Sequence, residues 1–266
     1  MYLSHFALAN FPFEASLQHD QLFASRAASE TETRLQHLID LRGIGLLTGE
    51  VGCGKTTLCR RVTNALHPGC HRVHYVALST GSVLDTYQAI AWELGLATVR
   101  TRAAAYRAIR TEISRLVREA KQLPVLVIDE AHHLRNDVLE DLRLLTNFEM
   151  DAEHRLCLLL VGLTELRRRL SMAVHESLAQ RLVVRQHLAG LDRDELEAYL
   201  AHRLALAGCQ LPLFEAPALE ALFQASRGLP RQVNRYAHYA LIAAALDDAR
   251  TVSAEHLQRS CEELAP

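Results

Sequence analysis

Short, uninterrupted apolar runs alternate with longer stretches of helical periodicity over the first two thirds of the chain. Residues 43–48 (GIGLLT), 71–78 (HRVHYVAL), 123–128 (LPVLVI), 155–161 (RLCLLLV) and 181–188 read as five strands. Between them the spacing predicts helices over 29–41, 55–66, 82–94, 103–121, 138–147 and 165–170. A strand that is apolar at successive positions must be covered on both faces, so this alternation predicts an α/β fold: a parallel sheet in a three-layer αβα core. Beyond Leu188 the strand pattern stops. Asp192 and Glu195 have the spacing of a capping box ahead of Leu196, Tyr199, Leu200 and Leu204, which share one helical face. Further helices are predicted over 216–226, 230–246 and 253–264. The expected division is therefore an α/β core with an N-terminal arm over 1–188 and a small all-α domain over 189–266. The arm holds Phe6, Phe11, Phe13 and Phe23, four of the seven phenylalanines in the chain.

Charge sharpens that division: residues 1–188 carry 22 basic and 20 acidic groups, while 189–266 carry 7 and 11. The chain carries 29 basic and 31 acidic side chains, a net of −2, which gives no bulk argument for a nucleic-acid partner. No apolar run reaches the roughly 18 residues that span a bilayer, and the N-terminus lacks the basic-then-apolar pattern of a secretory signal. Six cysteines without a CxxC pair suit reduced thiols. A cytoplasmic location is the expectation. Only two of the basic residues are lysines, Lys55 and Lys121, and the rest are arginine.

One of those lysines lies in the clearest motif. Gly49, Glu50, Val51, Gly52, Cys53, Gly54, Lys55 and Thr56 match G-x-x-x-x-G-K-[ST] in full, after a predicted strand and opening a predicted helix. Glycines let the backbone curl so that successive N–H groups face phosphate oxygens, and the helix adds its positive end. Lys55 then neutralises β- and γ-phosphate charge, and the Thr56 hydroxyl is a Mg²⁺ ligand. In Val125-Leu-Val-Ile-Asp-Glu130 an apolar strand ends in two carboxylates. Asp129 is expected beside the metal, and Glu130 polarises the water that attacks the γ-phosphorus. ATP and Mg²⁺ are the implied cofactors. Asp129-Glu-Ala-His132 also spells a helicase box, but such helicases need two recombinase-like domains and this chain has one phosphate loop and one sheet.

On these motifs the chain resembles an AAA+ ATPase, of the group that contains the secretion ATPase ExeA and the transposition ATPases TniB and TnsC. The resemblance runs from Tyr2, Phe6, Pro12 and Phe13 through Leu47-Thr-Gly-Glu-Val-Gly-Cys-Gly-Lys-Thr-Thr57-Leu58, Asp129-Glu-Ala-His132, Leu160-Val-Gly162 and Gln180-Arg181 to Gly228-Leu-Pro-Arg-Gln-Val-Asn234. It implies that Arg231 reaches the γ-phosphate from the helical lid, and that Arg181 is the finger inserted into a neighbour's site, with Arg185 a plausible alternative. It also implies a polar residue just past the fourth strand. Leu163 stands there and Thr164 follows, so Thr164 is the shifted candidate. The resemblance further implies a homo-oligomeric ring or filament. The leading expectation is an ATPase that binds and hydrolyses ATP at subunit interfaces, binds double-stranded DNA, and regulates transposition through a transposase. The alternatives are an ExeA-type ATPase of secretion or pilus assembly and an ATP-binding scaffold with little hydrolysis.

Other clusters carry less. His67, Cys70, His71 and His74 offer four ligand types within one short segment, yet His71 and His74 have opposite parity in a strand and face opposite sides. His132 at most senses the γ-phosphate, and Cys53 in the loop is an inert small residue by default, though its thiol would make binding oxidation-sensitive if reactive. Arg100, Arg102, Arg107, Arg110, Arg115 and Arg118, with Arg167, Arg168 and Arg169, could meet DNA phosphates. Equally, they could form a solvated helix face paired with Glu112 and Glu119.

Overall fold

Five strands form in a computed structural model that describes residues 2–14, 21–77 and 81–264. They are β1 (Ile44–Gly49), β2 (His71–Val76), β3 (Leu123–Ile128), β4 (Cys157–Gly162) and β5 (Leu182–Leu188). Leu78, the expected end of the second strand, lies outside the described residues. The helices in chain order are α1 (Tyr2–His5), α2 (Arg26–Leu41), α3 (Lys55–Asn64), α4 (Val83–Glu93), α5 (Arg102–Arg118), α6 (Asn136–Leu145), α7 (Thr164–Leu170), α8 (Glu176–Ala179), α9 (Arg193–Leu206), α10 (Ala216–Ser226), α11 (Pro230–Leu246) and α12 (Ala254–Glu263). Two compact units result. One comprises Glu30–Gly49 and Lys55–Leu188; the other comprises Met1–Ser29, Glu50–Gly54 and Ala189–Pro266.

In the α/β unit every strand pair is parallel and the order is β2-β3-β4-β1-β5. β1, β3 and β4 are buried at every position, whereas the edge strands β2 and β5 are exposed at alternate or scattered positions. The continuous apolar runs thus fall in the interior and the mixed ones at the edges, as coverage on both faces requires. Leu160 of β4 is opposite both Leu46 of β1 and Ile128 of β3. These side chains join Tyr87, Ile90, Ile109, Ile113, Leu139 and Leu142 from α4, α5 and α6 in one core. Local chemistry starts the helices: Ser82 accepts from Asp85 N at 3.2 Å ahead of α4, and Thr101 accepts from Ala104 N at 3.2 Å ahead of α5. With the strands parallel, the C-terminal ends of β1, β3 and β4 lie at one edge, where the phosphate-loop and paired-carboxylate motifs begin.

The helical unit has its own core, from Leu196, Leu200, Leu222, Val233, Leu241 and Leu257. Its first long helix carries the expected capping box between Asp192 and Glu195. The N-terminal arm, which the sequence reading placed with the α/β core, packs here instead. Tyr2, Phe6 and Leu8 are buried among these helices, Ala9 N donates to Ala207 O at 2.8 Å, and the buried Arg203 donates through Nε to Pro12 O at 2.7 Å. The physical reason is that a small unit buries a low fraction of its surface, and Tyr2, Phe6 and Leu8 of the arm enlarge its apolar core.

The turn between α10 and α11 is held by a backbone crossing. Leu191 N donates to Gly228 O at 2.7 Å. Gly228 has φ +68°, and a Cβ on it would fall 2.1 Å from Leu191 O, a distance no side chain tolerates. Replacing Gly228 with Ala is expected to destabilise the helical unit by about 2–4 kcal/mol, read as a lower thermal midpoint, while Gln224→Ala on an exposed face of α10 changes it little.

Candidate functional site

Gly49 closes β1 and Lys55 opens α3, and residues 50–54 between them group with the helical unit. Gly52 and Gly54 sit at φ +82° and +102°, and Cys53 N donates to Glu50 O at 3.3 Å to tighten the turn. Within the same unit Arg231 N, in the first turn of α11, donates to Gly52 O at 3.2 Å. A Cβ on Gly52 would lie 2.7 Å from Arg231 Cβ. The loop backbone therefore touches the backbone of Arg231, and the Arg231 side chain is exposed. Cys53 is buried.

In the α/β unit Lys55 is buried and its Nζ donates to Gly49 O at 3.0 Å. Thr56 Oγ1 donates to Asp129 Oδ2 at 2.6 Å, joining residues 73 apart in sequence. Asp129 is itself buried and accepts two more bonds: Tyr75 OH donates to Oδ2 at 2.8 Å, and Glu130 N donates to Oδ1 at 2.8 Å. Tyr75 was not singled out in the sequence, where it looks like an ordinary strand aromatic. No residue of its own strand signalled this contact, whose partner lies 54 residues on. Burial, and then the hydrogen bond to Asp129, push its phenol above the ordinary tyrosine range. A hydroxyl and a carboxylate this close are hard oxygen donors, which suits Mg²⁺, a cation that takes one or two protein oxygens and keeps its remaining waters.

Glu130 adopts a left-handed backbone, φ 53° and ψ 30°, at the end of β3. Its carboxylate is about half exposed, and Oε2 lies 3.4 Å from His132 Nδ1. His132 and His133 stack with ring centroids 4.0 Å apart. Burial first, and then His133, hold the His132 pKa below the ordinary imidazole value. Arg169 holds this turn from α7, donating to His132 O at 2.9 Å and to Leu134 O.

Thr164 is the first residue of α7, with Leu163 between it and the end of β4. A Cβ on Gly162 would be 3.1 Å from His132 N, so the end of β4 runs beside the turn after Glu130. Arg181 immediately precedes β5 and donates to Asp151 Oδ2 at 2.6 Å; Arg185, within β5, donates to Ala179 O. The arginine-rich α5 is largely engaged inside the chain. Arg102 grips the buried Asp141 with two bonds, Arg110 lies over the Phe148 ring, Arg115 pairs with Glu112, and Arg118 pairs with Glu149. The structure thus brings Thr56, Asp129 and Glu130 together, places Arg231 against the glycine loop, and leaves Arg181 and Arg185 each held by a local partner.

Gly52 has both a positive φ and a neighbour where a side chain would be. Gly52→Ala is expected to reduce nucleotide affinity at least about tenfold, by pushing Arg231 and the loop apart. Titration with a fluorescent ATP analogue measures it, and an unchanged circular-dichroism spectrum would show the fold retained.

Known proteins are similar to this chain in sequence and in fold. Residues 38–170 match the family described as AAA domain. The chain is 37% identical over 247 residues to general secretion pathway protein A of Aeromonas hydrophila, a match that covers 92% of this chain and 45% of that protein. The chain therefore spans a little under half the length of this relative. Among solved structures it is similar to Cdc6p from Pyrobaculum aerophilum (TM-score 0.71, 18% identity, 95% of this chain and 70% of that one). It is also similar to a chain of Drosophila ORC bound to DNA (TM-score 0.67, 18% identity, 96% and 65%). A third similar structure is the RuvB branch-migration motor of Thermotoga maritima (TM-score 0.58, 20% identity, 96% and 74%). These structural likenesses bear on the fold, a phosphate-loop sheet followed by helices. The family match and the secretion relative together place the chain in the AAA+ family, where it is ExeA-like.

Proposed function

We propose that this chain binds ATP with Mg²⁺ and hydrolyses it, as the nucleotide-driven module of a secretion or assembly machine of the ExeA type. The observation that carries the hydrolytic reading is the 2.6 Å bond from Thr56 to Asp129 beside the buried Lys55. Lys55 exchanges its bond to Gly49 O for phosphate oxygens, and the amides of residues 52–56 surround the phosphates at the start of α3. Thr56 and Asp129 would hold Mg²⁺, which when bound screens phosphate charge and orients the γ-phosphate. Tyr75 keeps Asp129 oriented through its second bond to Oδ2. Glu130, half exposed beside this pair, orients and polarises the attacking water. Thr164, past β4, is the candidate to steady that water. Arg231 stabilises γ-phosphate charge from beside Gly52. Arg181 acts on a neighbouring copy after leaving Asp151, with Arg185 the alternative finger.

The 37% identity to a secretion protein favours that biological setting. A DNA-bound regulator of transposition, working with a transposase, is the second reading. It needs arginines free for phosphates, and Arg102, Arg110, Arg115 and Arg118 are engaged within the chain. Among the described residues no helix is long and apolar enough to cross a membrane.

Glu130→Gln is expected to lower ATP turnover about 10²–10⁴-fold while nucleotide affinity holds. Lys55→Ala loses binding itself. No turnover above background in the wild type would sink the hydrolytic reading and favour the scaffold, whereas equal turnover in wild type and Glu130→Gln would remove Glu130 from the reaction. Tyr75→Phe is expected to lower turnover about tenfold or more by freeing Asp129, with a raised Mg²⁺ requirement as its signature. For the second reading, filter binding at low salt is the test: ATP-dependent retention of duplex DNA would bring it forward.

A further inference from the structure

We propose that Glu130, His132 and His133 form a binding site for a borderline-soft divalent transition metal of the zinc class, separate from the hard-oxygen pair Thr56 and Asp129. One ligand atom from each of the three side chains lies within 4.8 Å of the others. Among the described residues no other group of three or more histidine, cysteine or acidic side chains meets that spacing. The four residues weighed from the sequence at 67–74 are not such a group. His74 Nδ1 bonds to Glu93 O instead, and His67 Nδ1 accepts from Gly69 N.

The turn explains the convergence. Glu130 is left-handed and His133 N returns to Glu130 O at 3.0 Å, so a single 3-10 turn carries the carboxylate and both rings to one side. Glu130 Oε2 and His132 Nδ1 are 3.4 Å apart. A direct charge-assisted hydrogen bond would be about 2.7–2.9 Å. Two ligands on a tetrahedral zinc with bonds of about 2.0–2.1 Å stand roughly 3.4 Å apart, so the pair already has the spacing of metal ligands.

His132 supplies the independent observation. Its side chain is 8% exposed, and Nδ1 is buried with no hydrogen-bond partner. A buried ring nitrogen left without a partner is costly, and this one lies 3.4 Å from the carboxylate that would share the metal. His133 is exposed and can rotate to close the remaining distance, and the open side at Glu130 leaves water to complete the coordination. Two imidazoles and one carboxylate select zinc, copper or nickel over magnesium and calcium.

The consequence for activity rests on the proposed role of Glu130; the site itself does not. A metal there occupies the carboxylate that polarises water and leaves Lys55 and the phosphate loop untouched. Zinc would then stop turnover without displacing nucleotide.

The test is a Co²⁺ titration of the full nucleotide-free chain, following visible ligand-field absorption and its displacement by Zn²⁺. Saturable uptake of one ion is expected, weakened about tenfold or more in His133→Ala and retained in Lys55→Ala. No saturable uptake, or equal affinity in His133→Ala, overturns the proposal. In parallel, ATP turnover in excess Mg²⁺ is measured with and without Zn²⁺, each variant against its own zinc-free rate. Inhibition of the wild type that is relieved in His133→Ala supports both site and consequence. His133-dependent uptake without inhibition leaves the metal site standing and removes Glu130 from the reaction.

Discussion

Asp129 is the point at which this chain's distant segments become one site. Its carboxylate takes a proton donor from the first turn of α3, a second from the end of β2, and a third from the backbone that follows it. A buried carboxylate is tolerated only when its oxygens are matched by donors, so these three bonds are a condition for placing the acid there at all. They also decide where it points. Without Tyr75 and the Glu130 amide the side chain could turn away from Thr56. The parallel sheet serves this arrangement: β3 delivers the carboxylate, β1 the glycine loop, and β4 between them the peptide that runs against His132.

Much of the fold could be read from the chain before any coordinates. Strands β1, β3 and β4 are apolar throughout because helices cover both faces, and their shortness between turn-forming and polar residues marks them as strands rather than buried helices. The capping box at Asp192 and Glu195, and prolines 217 and 230 in the first turns of α10 and α11, are local chemistry that survives tertiary context. The nearness of Thr56 to Asp129 was legible too, because their motif types imply it. Tyr75 was not legible. Nothing within its own strand announces a partner 54 residues away. The arm failed for a related reason: four phenylalanines say that a segment must be buried but not against what, and its docking depends on Ala207 and Arg203 far along the chain.

The arginines show how much composition leaves open until geometry is known. A run of them on α5 looks like a surface prepared for an anion. In the structure Asp141 takes Arg102 in two bonds, Phe148 lies under Arg110 and, at 5.1 Å, Arg155, and glutamates 149 and 153 take Arg155. Guanidinium groups are weakly hydrated, planar and able to stack, so a chain rich in arginine can use it as packing material around an aromatic ring. Lysine could not replace it in that role.

The left-handed conformation of Glu130 has an implication for how the chain can be improved or degraded. A non-glycine side chain at φ 53° holds the backbone at a local disadvantage of about 1 kcal/mol or more. A library screened for heat resistance alone would therefore find asparagine or glycine rewarded at position 130, and would converge on a sturdier protein lacking its exposed carboxylate. Durability and the acid at the end of β3 are opposed at a single torsion angle.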